Sequence, residues 1–324
     1  LEGGLTLEAA RRLVPLFERA GFSALHVSAG CYSSMEWIVQ PYLQEHACLG
    51  DLARAIRQVS ALPVIAVGRI VDLDAAERLL QEGSADLVSM GRALIADPDL
   101  PRKAAEKNAP AIRPCLGCNV CIQFVGVKQT RCAVNPGMGQ ETSQAPDPEP
   151  GHIVVIGGGP AGLEAALTAA DRGRQVTLLE RESILGGQLK LAAGFPSKPH
   201  FQRLLDYYFE KVDRAEIQIH LDTVVNLDLV RLLQPDSLIV ATGGVPRPLI
   251  LDGSAPHEHV VQATEILATR ESLTGEVVVV GGGLIGLDVA EVLSTTADRI
   301  TIIEKGSRAG SALELSLIHI SEPT

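Results

Sequence analysis

The chain has 324 residues, 46% of them hydrophobic, and a formal net charge of -11. That length allows two or three domains with sizeable cores, and the hydrophobic content excludes general disorder. An acidic chain lacks the basic face that nucleic-acid phosphates need, and no run of about 18 apolar residues marks a membrane-crossing helix.

Residues 1–110 alternate helix and strand. The pattern predicts helices over 7–20, 49–60, 72–82 and 99–107, and strands over 24–28, 63–67 and 85–90. Apolar strands separated by helices imply a parallel sheet covered on both faces. Three such units suit the C-terminal part of a TIM (β/α)8 barrel, which takes about 250 residues when whole. Residues 111–138 hold four of the six cysteines and little periodicity; 139–150 (GQETSQAPDPEP) is polar and Pro-rich and reads as a linker.

From residue 152 the pattern restarts. Strands are expected at 153–156, 176–180 and 237–241, with helices at 163–172 and 199–212. A second glycine turn follows, between a strand at 277–280 and a helix at 287–295, and leads to a strand at 300–304. This internal duplication carries more weight than either copy alone. The expected class is therefore α/β: partial barrel (1–110), cysteine segment (111–138), Rossmann-like domain (151–245) and a second, nested nucleotide domain (246–314). The final LSLIHISEPT (315–324) continues no pattern and reads as a translated sequencing adapter. With Leu1-Glu2-Gly3-Gly4 showing neither an initiator Met nor a leader pattern, the expectation is a chain truncated at both ends and located in the cytoplasm.

Clustered cysteines in a long α/β chain point to metal or redox chemistry, not to a disulfide framework. Cys115, Cys118, Cys121 and Cys132 read C-x2-C-x2-C-x10-C. Zinc ribbons pair two C-x2-C knuckles, whereas three close cysteines and one distant one suit a 4Fe–4S cluster. Spacing alone leaves zinc, or no metal, open.

Gly157, Gly159 and Gly162, with Pro160 and Ala161 between them, form G-x-G-x-x-G between a strand and a helix. The first glycine makes the turn, the second admits a pyrophosphate, and the third lets helix and strand pack. The helix N-terminus faces the phosphates. Glu180 stands 18 residues after Gly162, at the end of the next strand, where a carboxylate can bind a ribose. Gly281, Gly283, Gly286 and Glu304 repeat the arrangement with the same spacing. A carboxylate at Glu304 accepts from a free 2′-hydroxyl and repels a 2′-phosphate, which favours NADH over NADPH, although Lys305 and Arg308 follow closely. In the barrel part, two strands end in Gly68-Arg69 and Gly91-Arg92, the composition of a phosphate-binding loop. Pairing of these arginines with surface carboxylates is the alternative.

The segments HVSAG, PVIAVGRI, ADLVSMGRALIADP, RPCLGCNVC, RCAVNP and VVIGGGPAGLEAA, in this order, resemble the Old Yellow Enzyme-related iron–sulfur flavoproteins. That family includes 2,4-dienoyl-CoA reductase, 2-enoate reductase and trimethylamine dehydrogenase. The resemblance covers residues 1–314. It implies an FMN barrel with Gly68, Arg69, Gly91 and Arg92 at the phosphate, a 4Fe–4S cluster on the four cysteines, and a region like glutathione reductase for FAD and NAD(P)H. Gly157, Gly159, Pro160, Ala161, Gly162, Glu180, Arg181, Gly187, Gln188, Thr242 and Gly243 would line the FAD site; Gly281, Gly283, Gly286 and Glu304 would hold the nicotinamide nucleotide. It further implies electron flow from NAD(P)H through FAD, cluster and FMN to a small-molecule α,β-unsaturated substrate. An amine dehydrogenase of the trimethylamine dehydrogenase type, and an inactive fragment or cluster-binding module, are the alternatives. The 2,4-dienoyl-CoA reductases carry a catalytic His after the sixth strand. Here that stretch, residues 31–37, has no His, and Tyr32 and Glu36 are the candidate proton donors. With the first barrel strands lacking, the chain alone is expected to be inactive.

Overall fold

The computed structural model describes residues 3–123, 129–140, 151–195, 197–247 and 259–311. These form two compact units that part within the 141–150 segment. Most of the expected linker and the whole 315–324 tail lie outside the described residues.

In the first unit, β1 (Leu25–Val27), β2 (Val64–Ala66) and β3 (Leu87–Val88) form one parallel sheet in chain order. The register pairs Val27 with Ala66 and Ala66 with Val88. Parallel neighbours need crossovers, supplied by the Gly50–Arg57 and Leu73–Gln81 helices. The helices start where their caps dictate. The Thr6 hydroxyl accepts the Ala9 N–H (3.2 Å) ahead of the Leu7–Arg19 helix, and Asp72 Oδ1 accepts the Ala75 N–H (2.8 Å) ahead of Leu73–Gln81. Val14, Ile56, Val64, Ala66, Ile70 and Leu79 form the core beneath the sheet.

In the second unit, β4 (His152–Ile156), β5 (Gln175–Leu179), β6 (Ile217–His220) and β7 (Ser237–Val240) form a parallel sheet in the order β6-β5-β4-β7. The Pro160–Asp171 helix connects β4 to β5 and starts at Pro160, whose missing N–H and fixed φ suit a first helical position. The repeat appears as β8 (Glu276–Val280), the Leu284–Leu293 helix and β9 (Arg299–Ile303), with β8 and β9 paired in parallel.

The duplicated turn is duplicated atom by atom. Gly157 and Gly281 have φ of +106° and +108°. A Cβ on Gly162 would stand 1.8 Å from the Gly157 carbonyl oxygen, and one on Gly286 would stand 1.9 Å from that of Gly281. No side chain fits there without moving strand or helix.

The expected strands and main helices all appear. In the first unit most ends are one or two residues shorter, whereas the two glycine-turn helices begin three residues earlier, at Pro160 and Leu284, so that Gly162 and Gly286 lie inside them. Elements absent from the sequence-based expectation are the Met35–Ile38, Gly91–Ala96, Val120–Gln123, Leu189–Ala193, Leu227–Leu233 and Ala263–Thr269 helices and strand β6. All span seven residues or fewer, too few to display a period.

Gly162→Ala is expected to cost about 1–3 kcal/mol, the usual range for overpacking. Gly244→Ala, where nothing lies within 4 Å of the new methyl, is expected to change stability by less than about 0.5 kcal/mol. Denaturant midpoints check both; equal effects at the two sites would refute the packing account.

Candidate functional site: a cysteine cavity and two glycine cradles

The cysteine segment opens after Arg113-Pro114. Gly117 and Asn119 both sit in the left-handed region, at φ of +66° and 56°. These two reversals fold residues 115–121 back on themselves, and the Val120–Gln123 turn of helix carries Cys121 inward. Gly117 also passes close over the barrel unit. A Cβ there would be 3.2 Å from the Tyr42 backbone and 3.4 Å from Arg69 Nε. As a result Cys115, Cys118, Cys121 and Cys132 line one small pocket.

Polar staples hold the cavity walls. Asp97, 4% exposed, accepts the Arg113 N–H (2.8 Å) and pairs with Lys103 (2.6 Å). Arg113 Nη1 donates to the Val134 carbonyl (2.6 Å), and Asn135 Nδ2 donates to that of Ile95 (2.8 Å). Asn119, 1% exposed, donates Nδ2 to the Val39 carbonyl (2.9 Å) and accepts from Arg92 at Oδ1. Sequence reasoning missed these staples. Asn119 was the one signal available: a polar residue inside the cysteine motif where any small residue would have kept the spacing.

The donor set tests what the cavity suits. Four cysteine thiols ring it, with no carboxylate or imidazole among the residues lining it. Among the described residues, no three His, Cys, Asp or Glu side chains converge on a point that would hold a single ion. A lining that offers sulfur alone, from four cysteines, fits a thiolate-bound centre such as a 4Fe–4S cluster. Burial raises the thiols of Cys115 and Cys121, and pushes Cys118 up to about 11; neighbouring thiols add to each effect, while Arg92 opposes it at Cys115 and Cys121. Ligation therefore has to release protons.

The glycine cradles show the same logic twice. Glu180 Oε2 accepts the Gly158 N–H (2.5 Å) and Oε1 accepts that of Glu182 (2.9 Å). Glu304 Oε2 accepts from Gly282 and Oε1 from Gly306, both at 2.8 Å. The Gly306 bond, then the Gly282 bond, holds the Glu304 carboxyl below its ordinary range. Gly157 and Gly162 are glycine for internal reasons, but Gly159 is not. Its φ is -77°, and a Cβ would meet only Gly187 Cα at 3.9 Å. Gly283 likewise has φ of -77° and nothing within 4 Å. The fold demands no glycine at either middle position, and the absence of a side chain leaves the backbone open to a ligand there.

Around the first cradle, Ala241-Thr242 abuts Gly157, Gly187 packs on Gly159, and Gln188 Nε2 donates to the Gly244 carbonyl (2.7 Å). Gly157–Gly162, Glu180, Gly187, Gln188 and Thr242-Gly243 thus meet at one end of the sheet. Arg181 instead points to the surface and pairs with Glu182 (3.1 Å). In the barrel unit, Arg69 is buried with φ of 48° after Gly68, and Gly91 opens the helix that carries Arg92. Tyr32 is 92% exposed, and Glu36 lies on the Met35–Ile38 helix. No helix among the described residues is long and apolar enough to cross a membrane.

Two family models match the chain: "NADH:flavin oxidoreductase / NADH oxidase family" over residues 27–110, and "Pyridine nucleotide-disulphide oxidoreductase" over 151–321. An NADH oxidase of Thermoanaerobacter brockii is 40% identical over 94% of this chain and 48% of its own length. A cinnamate reductase of Clostridium sporogenes is 31% identical over 92% of this chain and 44% of its own. A solved 2-naphthoyl-CoA reductase, in complex with 2-naphthoyl-CoA, superposes with a TM-score of 0.90 at 28% identity, covering 98% of this chain and 49% of that one. The chain spans about half the length of the curated relatives it matches. With the second model covering more than half of the residues and the first preceding it in the family's order, the chain belongs to the Old Yellow Enzyme-related flavoproteins, in which an NADH:flavin oxidoreductase segment is followed by a pyridine nucleotide-disulphide oxidoreductase domain.

Proposed function

We propose that the chain is the cluster- and nucleotide-binding part of an NAD(P)H-dependent flavin and iron–sulfur oxidoreductase that reduces an α,β-unsaturated small molecule. The observation that carries this reading is the second glycine cradle, with Glu304 held as Glu180 is held. One cradle serves the FAD adenosine diphosphate; a second has a purpose when a nicotinamide nucleotide delivers the electrons. When bound, the cofactors supply hydride transfer at the flavins and one-electron relay at the cluster.

The residues do the positioning. Gly159 and Gly283 leave backbone room for a pyrophosphate at each helix N-terminus. Glu180 and Glu304 present carboxylates to a ribose. Cys115, Cys118, Cys121 and Cys132 hold the cluster, and Arg69 places a buried positive charge for the FMN phosphate. Tyr32 and Glu36 are the proton-donor candidates. Relatives with dehydrogenase names, such as an N,N-dimethylglycine/sarcosine dehydrogenase of Chromohalobacter salexigens, keep the amine-oxidising reading in view. The second glycine turn at Gly281–Gly286 favours the NADH-driven direction, since an amine-driven one needs no nicotinamide.

Under anaerobic conditions NADH is expected to bleach the flavins within the dead time of manual mixing. Bleaching by an amine and not by NADH would overturn the reductase reading. Cys118→Ala is expected to abolish acid-labile sulfide and stop reduction of the unsaturated substrate, while NADH still bleaches FAD. Retention of full sulfide would remove Cys118 from the ligand set. Glu304→Gln should raise the KM for NADH roughly tenfold, the loss of about one charge-assisted hydrogen bond, and narrow the NADH/NADPH preference. An unchanged ratio of the two KM values would exclude Glu304 from ribose recognition.

A further inference from the structure

The Gly-Arg loop and the family resemblance lead to the expectation of Arg92 at a flavin phosphate. Its guanidinium also has partners within the protein. Nη1 donates to the Gln40 carbonyl (2.6 Å) and to Asn119 Oδ1, and the side chain lines the cavity that the four cysteines ring. Among the residues lining that cavity, Arg92 is the one cation. Its acceptor, Asn119, is locked in turn by Val39, by its own left-handed backbone and by 1% exposure. A mobile surface arginine needs no such holder.

The geometry points to Arg92 as the residue that sets the charge environment of the cluster, its guanidinium aimed into the cysteine cavity by Asn119 and making cluster reduction easier. This rests on the cluster reading given above. Each one-electron reduction, with reduced flavin as donor, adds one negative charge to a site already surrounded by four thiolates. A fixed cation beside it stabilises the reduced form more than the oxidised one, and apolar walls such as Leu116 and Val134 weaken screening. The Asn119 amide keeps the charge turned toward the sulfurs and so acts as a positioning residue.

The test is a redox titration of the cluster in the holoprotein, followed by the electron paramagnetic resonance signal of the reduced state. Arg92→Gln is expected to reduce the reduced-to-oxidised ratio at fixed potential about tenfold, which for one electron is about 59 mV. Arg92→Lys keeps the charge and should stay close to wild type. Asn119→Gly removes the holder without demanding a left-handed side chain, and should fall between the two. Iron, sulfide and FMN content are measured in all three. An unchanged midpoint in Arg92→Gln, with iron, sulfide and FMN at wild-type levels, overturns the assignment; loss of FMN with an unchanged midpoint overturns it in favour of phosphate binding. If Arg92→Gln fails to retain iron, Asn119→Gly decides, and an unchanged midpoint there overturns it. A wild-type protein holding zinc without sulfide overturns both this assignment and the cluster reading, and metal and sulfide analysis separates that outcome from the others.

Discussion

Asn119 is the constraint on which the cysteine site depends. A segment of some twenty residues whose described part holds one short helical turn and no strand has little backbone ladder to hold it. It has to be tied down by hydrogen bonds, and buried polar groups must find partners or destabilise the fold. Asn119 meets both demands at once. Its amide bonds a carbonyl from residue 39 and a guanidinium from residue 92, while its left-handed backbone makes one of the two reversals that turn the thiols to one side. Asp97 does similar work at the other end, fixing the Arg113 amide next to the first cysteine, and Arg113 reaches across to the loop that follows the fourth. The thiols are thus held by the walls around them.

The nucleotide half is governed by a shorter-range constraint. The 1.8 Å and 1.9 Å approaches at Gly162 and Gly286 leave one way for strand, turn and helix to meet. Once that packing is set, the end of the next strand falls beside the turn. A glutamate there reaches the amide of Gly158 in one copy and of Gly282 in the other. Glu180 and Glu304 take the same pair of backbone hydrogen bonds because the geometry above them is the same. The carboxylates are already oriented by these bonds, so a ligand that used them would cost little side-chain ordering.

What was legible in the sequence follows from this difference in range. The 18-residue gap between Gly162 and Glu180 is a length of helix plus strand, and every interaction that uses it is local; it could be read directly. The four cysteines could be read as one site for the same reason. The alternation of apolar strands with helices in residues 1–110 announced the parallel sheet, and the caps at Thr6 and Asp72 sat where a polar residue precedes a periodic run. Strand β6, IQIH, offered four residues and no turn signal, and the Met35–Ile38 and Leu227–Leu233 helices were too short to show a period. The partners of Arg92 lie 27 and 52 residues away, and nothing in local sequence names them.

The two repeats in this chain therefore mean different things. The glycine turns repeat as sequence and as structure, since each is a backbone arrangement closed within about 25 residues. The Gly-Arg pairs repeat as sequence only. Gly68 and Arg69 both have positive φ, and a Cβ on Gly68 would strike Leu49 at 2.6 Å; the strained turn buries Arg69 beneath Gly117. Gly91 has open space around it and opens a helix, which sends Arg92 sideways to Asn119 and the cysteine cavity. One dipeptide, at the ends of two neighbouring strands, places one cation under the cysteine loop and the other inside its cavity. The chemistry of each arginine is decided by the backbone that carries it and by the loop it meets.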